Sequence, residues 1–173
     1  MGTFATDFEF KMDIPESGVE SRKGILYLKG DKYRLVMNEE EIISDNVNVW
    51  HWTKSVNEVQ VNYFDNDEEI ISPSDIFSMY LKGFGYKLIT EAKYQGVNVA
   101  LIELVPAARD RDYFKVKVVV DTDAHQLQQM QVFFKDGIVY TFNFSELRPK
   151  NLEDWFFEFD SARHPEVEII DLR

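Results

Sequence analysis

Catalysis, metal binding and phosphate binding each need particular side chains at particular spacings, and this sequence supplies few of them. Its histidines are His51, His125 and His164, and it has no cysteine. Nucleophilic catalysis needs a base beside a nucleophile, and no Gly-x-Ser-x-Gly elbow is present. Without cysteine there is no thiolate nucleophile, disulfide framework or Cys-liganded zinc. Asp121-Thr122-Asp123-Ala124-His125 gathers metal-ligand residue types, but Asp-rich segments between strands read first as turns. Asp65-Asn66-Asp67-Glu68-Glu69 resembles the start of a calcium loop, yet it lacks the glycine at the sixth position and the spaced ligand at the twelfth. His51 lies between Trp50 and Trp52 on a strand and reads as a surface residue. No glycine-rich phosphate loop occurs. The expectation is therefore a protein with no catalytic residue, no metal site and no cofactor, and not an enzyme.

Composition narrows the remaining classes. The 173 residues predict one domain over 1–173. Asp and Glu outnumber Lys and Arg by 31 to 19, a net charge of −12. That balance argues against nucleic acid, because neutralising phosphates needs clustered cations. It argues equally against electrostatic attachment to an anionic membrane. No run of 18 apolar residues is present, so no helix is expected to span a bilayer. The surplus is aromatic, with 14 Phe, 8 Tyr and 3 Trp.

Period-two alternation predicts antiparallel strands along most of the chain. The first runs from Phe4 to Asp13, and Pro15-Glu16-Ser17-Gly18 turns it. Others are expected at Ser21–Lys29, Lys32–Asn38, Glu41–Asp45, Val47–Thr53 and Glu58–Tyr63. After the Ser72-Pro73 helix start, strands resume at Tyr86–Tyr94, Val97–Val105, Tyr113–Asp121, Gln126–Phe134 and Ile138–Phe144. Ile76, Phe77, Tyr80 and Leu81 follow at helical spacing and give the short helix a wide apolar face, and Gly83 and Gly85 end it. Asn151–Trp155 suggests a helical turn, and Val167–Asp171 a final extended piece. Because strands twist, the expected fold is mainly β. It is a strongly curved antiparallel sheet forming an incomplete half β-barrel, with a short α-helical lid or plug on its concave face.

The order of these segments resembles the outer-membrane lipoprotein carrier family, the LolA-like periplasmic chaperones, in its Bacteroidetes-type branch. The resemblance runs from Ala5 to Arg173 and rests on order and spacing. It begins with Ala5-Thr6-Asp7-Phe8-Glu9-Phe10, then Gly24-Ile25-Leu26-Tyr27-Leu28-Lys29 and Tyr33-Arg34-Leu35. Ile43-Ser44-Asp45-Asn46-Val47-Asn48-Val49-Trp50-His51-Trp52 follows, with Asn46 where the family has glycine. Glu58-Val59-Gln60-Val61, Ser72-Pro73, Phe157-Glu158-Phe159 and Pro165-Glu166-Val167 complete it. Two features depart from the pattern. Gly30-Asp31 replaces an Arg-Pro whose arginine latches the helical lid, leaving Arg34 as the nearest polar latch candidate. No helix precedes the first strand, and the expectation is that this helix and a signal peptide have been removed.

The resemblance implies a periplasmic carrier that shields lipoprotein acyl chains in a hydrophobic concavity and delivers them toward the outer membrane. It implies two partners, an ATP-driven inner-membrane release complex and an outer-membrane acceptor. A freely diffusing monomer is expected. The acyl-contact candidates are Phe8, Phe10, Leu26, Leu28, Leu35, Met37, Trp50, Trp52, Val59 and Val61. Ile76, Phe77, Met79 and Tyr80 are the lid candidates. Alternation by itself also allows these residues to be plain core. The competing functional reading is a lipid- or protein-binding sensing module on the same scaffold, because fold does not fix function.

Overall fold

The computed structural model describes residues 2–64, 83–108 and 110–173. Thirteen strands dominate it. They are β1 (Thr3–Ile14), β2 (Gly18–Lys29), β3 (Lys32–Met37), β4 (Glu40–Ser44), β5 (Asn48–Thr53) and β6 (Glu58–Tyr63). These are followed by β7 (Phe84–Tyr94), β8 (Val97–Pro106), β9 (Tyr113–Asp121), β10 (Gln126–Phe134), β11 (Val139–Phe144), β12 (Arg148–Lys150) and β13 (Glu168–Asp171). Hydrogen-bonded neighbours follow the order β13-β6-β5-β4-β3-β2-β1-β11-β10-β9-β8-β7, and β12 pairs with β1. The order starts at β13 and ends at β7, so the mainly-β, open-sheet expectation holds. The predicted helix with Ile76, Phe77, Met79 and Tyr80, and the Asp65–Glu69 loop, lie outside the described residues.

The chain forms two compact units, to both of which β1 and β2 contribute. The first comprises Met1–Thr6, Gly24–Ser74 and Leu147–Arg173. Its strands alternate strictly. Leu26 opposes Leu35, Leu35 opposes Ile42, and Ile42 opposes His51. The intervening residues, Tyr27, Arg34, Ile43, Trp50 and Val61, form the opposite row. At the β4–β5 turn Asn46 adopts φ 73, a left-handed conformation that Asn tolerates. Asp45 Oδ1 fixes this turn by accepting the N–H groups of Val47 and Asn48.

The final strand departs from the antiparallel expectation. β13 pairs parallel to β6, with Ile169 opposite Val59. Parallel pairing requires the chain to cross over. The crossing segment is fixed first at β2, where Lys29 Nζ donates to the Leu152 carbonyl at 3.0 Å. It ends beside β6, where Asn57 Nδ2 donates to the Glu166 carbonyl at 2.7 Å. Beyond β13 the Leu172 N–H donates to the Val61 carbonyl, and Arg173 pairs with Asp171 at 2.6 Å. The guanidinium hydrogen bond, followed by the backbone one from the same arginine, holds the Asp171 carboxyl at about 2 instead of 3.8. A depressed carboxyl stabilises the fold above its unfolded value and loses that effect as pH falls through the folded one. Carboxyl NMR titration should therefore place the Asp171 midpoint near 2. Amide exchange at Leu172 should accelerate only below the ordinary carboxylate range. A midpoint at the ordinary value would contradict this clamp.

The second unit comprises Asp7–Lys23 and Asp75–Glu146. Register carries one apolar row across it. Phe8 and Phe10 oppose Phe144 and Phe142, and Met130 opposes both Phe142 and Val118. Ile102 opposes Val118, and Leu88 opposes Ile102. The other face of this unit is mixed, with Glu9, Asn143, Gln129 and Val119 in one row.

Candidate functional site

The apolar face of the second unit is assembled by alternation on β1, β11, β10, β9, β8 and β7. Phe8, Leu104, Val116, Met130 and Val132 on it are buried. Phe10 is half-buried and lies within a ring cluster, 5.1 Å from Tyr140 and 5.0 Å from Phe142 between centroids. Toward the sheet's end this face opens. Tyr86, opposite Leu104, is 79% exposed, and Leu88 is also exposed. The predicted contacts Phe8 and Phe10 thus belong to an apolar surface that runs from closed to open.

In the first unit, register divides the other eight predicted contacts. Leu26, Leu28, Leu35 and Met37 share one face with Tyr33, Ile42 and Val49. Leu26 is buried and Leu28, Leu35 and Met37 are half-buried. Trp50, Trp52, Val59 and Val61 lie on the opposite face. That face meets the segment leading to β13. The Trp52 ring packs against Phe159 at 5.6 Å and His164 at 4.5 Å. Tyr27 packs edge-on against Phe156 at 5.0 Å.

Arg34 also belongs to this covered face. Its Nε and Nη2 donate to Glu41 Oε2 at 3.0 and 2.6 Å, and its Nη1 donates to the Phe156 carbonyl at 3.1 Å. The guanidinium lies 5.0 Å from the Phe156 ring centroid, a cation–π distance. Lys54 completes the cluster, 2.9 Å from Glu41 Oε1. Arg34 therefore fastens the C-terminal segment to β3 and β4. Nearby, Asp154 lies 2.7 Å from Lys29 and 3.4 Å from Lys32. The hydrogen bond from Lys29, then its charge and that of Lys32, lower the Asp154 carboxyl below its ordinary value.

The residue types that could do chemistry are dispersed. His51 Nε2 stands 3.5 Å from Glu40, and His164 packs in the Trp52 cluster. The Asp121–His125 segment is a turn in which Asp121 Oδ1 accepts the N–H groups of Asp123 and Ala124. Among the described residues no group of three or more His, Asp or Glu could hold a metal ion. No described helix is long and apolar enough to cross a membrane. Tyr27, Phe156, Phe159 and His164, which pack at the covered face of the first unit, are not among the contact candidates that the sequence offers. The Trp155-Phe156-Phe157 run was the available signal.

The sequence model of the family described as outer membrane lipoprotein carrier protein LolA matches residues 1–160. The chain belongs to the LolA family. No curated protein matches the sequence. Among solved structures, an uncharacterized conserved protein from Thermus thermophilus is similar at a TM-score of 0.63 and 8% identity. That similarity covers 96% of this chain and 90% of that one, and it supports the fold alone. A LolA superfamily protein from Nitrosomonas europaea is similar at 0.49 and 12% identity, over 91% and 90% of the two chains. A putative outer membrane lipoprotein-sorting protein domain from Vibrio parahaemolyticus is similar at 0.47 and 13%, over 91% and 89%. Membership of the LolA family indicates lipoprotein binding of the carrier type.

Proposed function

We propose that this LolA-family chain is a single carrier domain that shields lipoprotein acyl chains in the periplasm and delivers them toward the outer membrane. The family match over residues 1–160 carries the reading. The open end of the second unit's apolar face supports it. A chain of about 15 methylenes, at about 0.8 kcal/mol each, represents about 12 kcal/mol of gross transfer free energy. A carrier must offer apolar surface comparable to a bilayer and still release its cargo. Bulky rings packed at varied angles around Phe10 suit such moderate affinity. Phe8 and Phe10 are proposed as contacts within the second unit, and Leu26, Leu28, Leu35 and Met37 as a separate contact surface within the first. The lid role is proposed for the segment with Ile76, Phe77, Met79 and Tyr80, for which the sequence predicts a helix. By the same family reading, an ATP-driven inner-membrane complex loads the protein and an outer-membrane acceptor unloads it. The carrier itself acts as a monomer.

The test is extraction. Purified protein incubated with lipoprotein-bearing inner-membrane vesicles that contain the ATP-driven release complex, with ATP supplied, should yield a soluble complex of carrier and lipoprotein. The half-buried Met37, replaced by glutamine, should lower that yield several-fold while leaving the melting temperature nearly unchanged. Failure of any lipoprotein to leave the vesicles defeats the proposal.

One observation favours a second reading, a binding or sensing module for another hydrophobic ligand. Gly30-Asp31 replaces the family's latch arginine, and Arg34 is engaged with Glu41 and Phe156. Native mass spectrometry separates the two readings. A co-purified free lipid without acylated protein cargo would select the second.

A further inference from the structure

A groove of about 730 Å³ is lined mainly from the mixed face of the second unit and, at one end, by Phe144 with Ser145 and Glu146, none of which the proposed carrier role uses. Its volume falls in the range of small-ligand sites, about 300–1,000 Å³. Ala92, Val99, Leu101 and Val119 form its floor. Ala92 opposes Val99 and Leu101 opposes Val119, so their side chains share one face. At one side stands Tyr94, which is 63% exposed.

Two β-bulges adjoin the groove. In β10 the register shifts between Leu127 and Gln129, which makes Gln128 the extra residue. Regular pleating sends successive side chains to opposite faces. The bulge instead lets Gln128 and Gln129 both line the groove. In β7 the register shifts between Leu88 and Thr90, immediately before the groove residues of that strand. Bulges recur where a sheet re-aims a side chain toward a site.

The chemistry of the lining selects a ligand class. Neither lysine nor arginine lines the groove among the described residues, and its one charged group is Glu146. A phosphate or carboxylate ligand would meet no cation there. The other polar side chains are three primary amides, Gln128, Gln129 and Asn143, and the hydroxyls of Thr90, Tyr94 and Ser145; each amide offers two donors and a carbonyl acceptor. Each amide is held by a hydrogen bond, Gln128 through its Nε2, which donates to Asp121 Oδ2 at 3.5 Å. Gln129 Nε2 donates to Asn143 Oδ1 at 2.8 Å, and Asn143 Nδ2 donates to Glu9 Oε2 at 3.4 Å. This relay leaves amide capacity over for a ligand. An exposed aromatic ring, an apolar floor and oriented amides together match a molecule with one C–H face and many hydroxyls. Backbone recognition by strand addition uses the main-chain groups of an edge strand; the groove reaches β7, the last strand in the order, but the groups that select its ligand are side chains.

We propose that the groove binds a neutral saccharide. The probes are maltohexaose, cellohexaose and chitohexaose, each titrated at millimolar concentration into the isotopically labelled full chain and followed by amide NMR. At least one should shift resonances of Tyr94, Leu101, Gln128 and Gln129. Tyr94→Ala should weaken that binding about tenfold, the scale of one lost aromatic contact. Tyr94→Phe should retain it, and both variants should melt like the parent because the residue is exposed. An anionic oligogalacturonide should bind far more weakly. Lack of any shift in the groove with all three neutral probes overturns the proposal. So does binding indifferent to Tyr94→Ala, equal binding of the anionic sugar, or occupation by a neutral polar peptide in place of saccharide. Lipoprotein extraction should be unchanged in Tyr94→Ala, so this result and the carrier test stand or fall separately.

Discussion

Replacing Phe157 with alanine is expected to destabilise the folded chain by about 3–5 kcal/mol, the usual cost of emptying a buried aromatic site. Phe157 is 0% exposed. It ends the short 3-10 turn Asp154–Phe157, which has no side-chain cap at its start. So short a turn has little stability of its own, and packing must hold it. The two rings beside Phe157 differ in kind. Phe156 lies edge-on to it at 5.4 Å, and Trp155 is 54% exposed. Trp155→Ala should cost about 1 kcal/mol or less, the scale of its exposed ring contacts with Phe156 and the Arg163 guanidinium. In a chain of this size each kcal/mol moves the melting temperature by about 2–4 °C. Thermal melts should separate the two alanine variants by roughly 5–15 °C on that scale. The segment's attachment would have to be reassigned to its charged contacts if Phe157→Ala melted beside Trp155→Ala.

Strand positions were legible because half-buried strands alternate, and their predicted bounds differ from the observed ones mostly by a residue or two at an end. Sidedness in the first unit was not legible. There both faces carry large apolar residues, one bearing Leu26 and Leu35, the other Trp50 and Trp52. Hydrophobicity alone cannot phase such strands against each other. Register can, and it depends on turn geometry and pairing. Each antiparallel pairing here joins an even-numbered residue to an odd-numbered one, so Leu26 shares its face with His51 and not with Trp50. The parallel pairing of β13 was equally hidden. Its direction follows from the crossing segment, whose anchors at Lys29, Arg34 and Trp52 lie far away in sequence. In the second unit, where one face is mixed and polar, alternation placed Phe8 and Phe10 on the apolar side correctly. The groove escaped notice because it depends on the bulge at Gln128, and a one-residue register shift leaves no mark in composition.

Arg34→Ala is the second large effect expected, a loss of about 2–3 kcal/mol, the scale of charge-assisted hydrogen bonds lost at a mostly buried carboxylate that keeps one other cation. Glu41 is only 7% exposed. Removing the guanidinium would leave its carboxylate with Lys54 alone and the Phe156 carbonyl without this donor. A lysine cannot substitute fully, because it lacks the planar fork that serves Glu41 and the carbonyl together. Arg34→Lys should therefore recover part of the loss, not all of it. The pair need not be stabilising in itself, since taking two charges out of water is costly. The double variant Arg34→Met with Glu41→Leu should accordingly be more stable than Arg34→Ala, although it keeps neither charge. Lys54, which is partly exposed, can return its ammonium to water. The decisive readout is local. In Arg34→Ala, hydrogen exchange should rise in residues 152–164, the segment that Arg34 fastens. If exchange rose only within residues 65–82, Arg34 would be the lid latch that the sequence first suggested, and its engagement with Phe156 would be incidental.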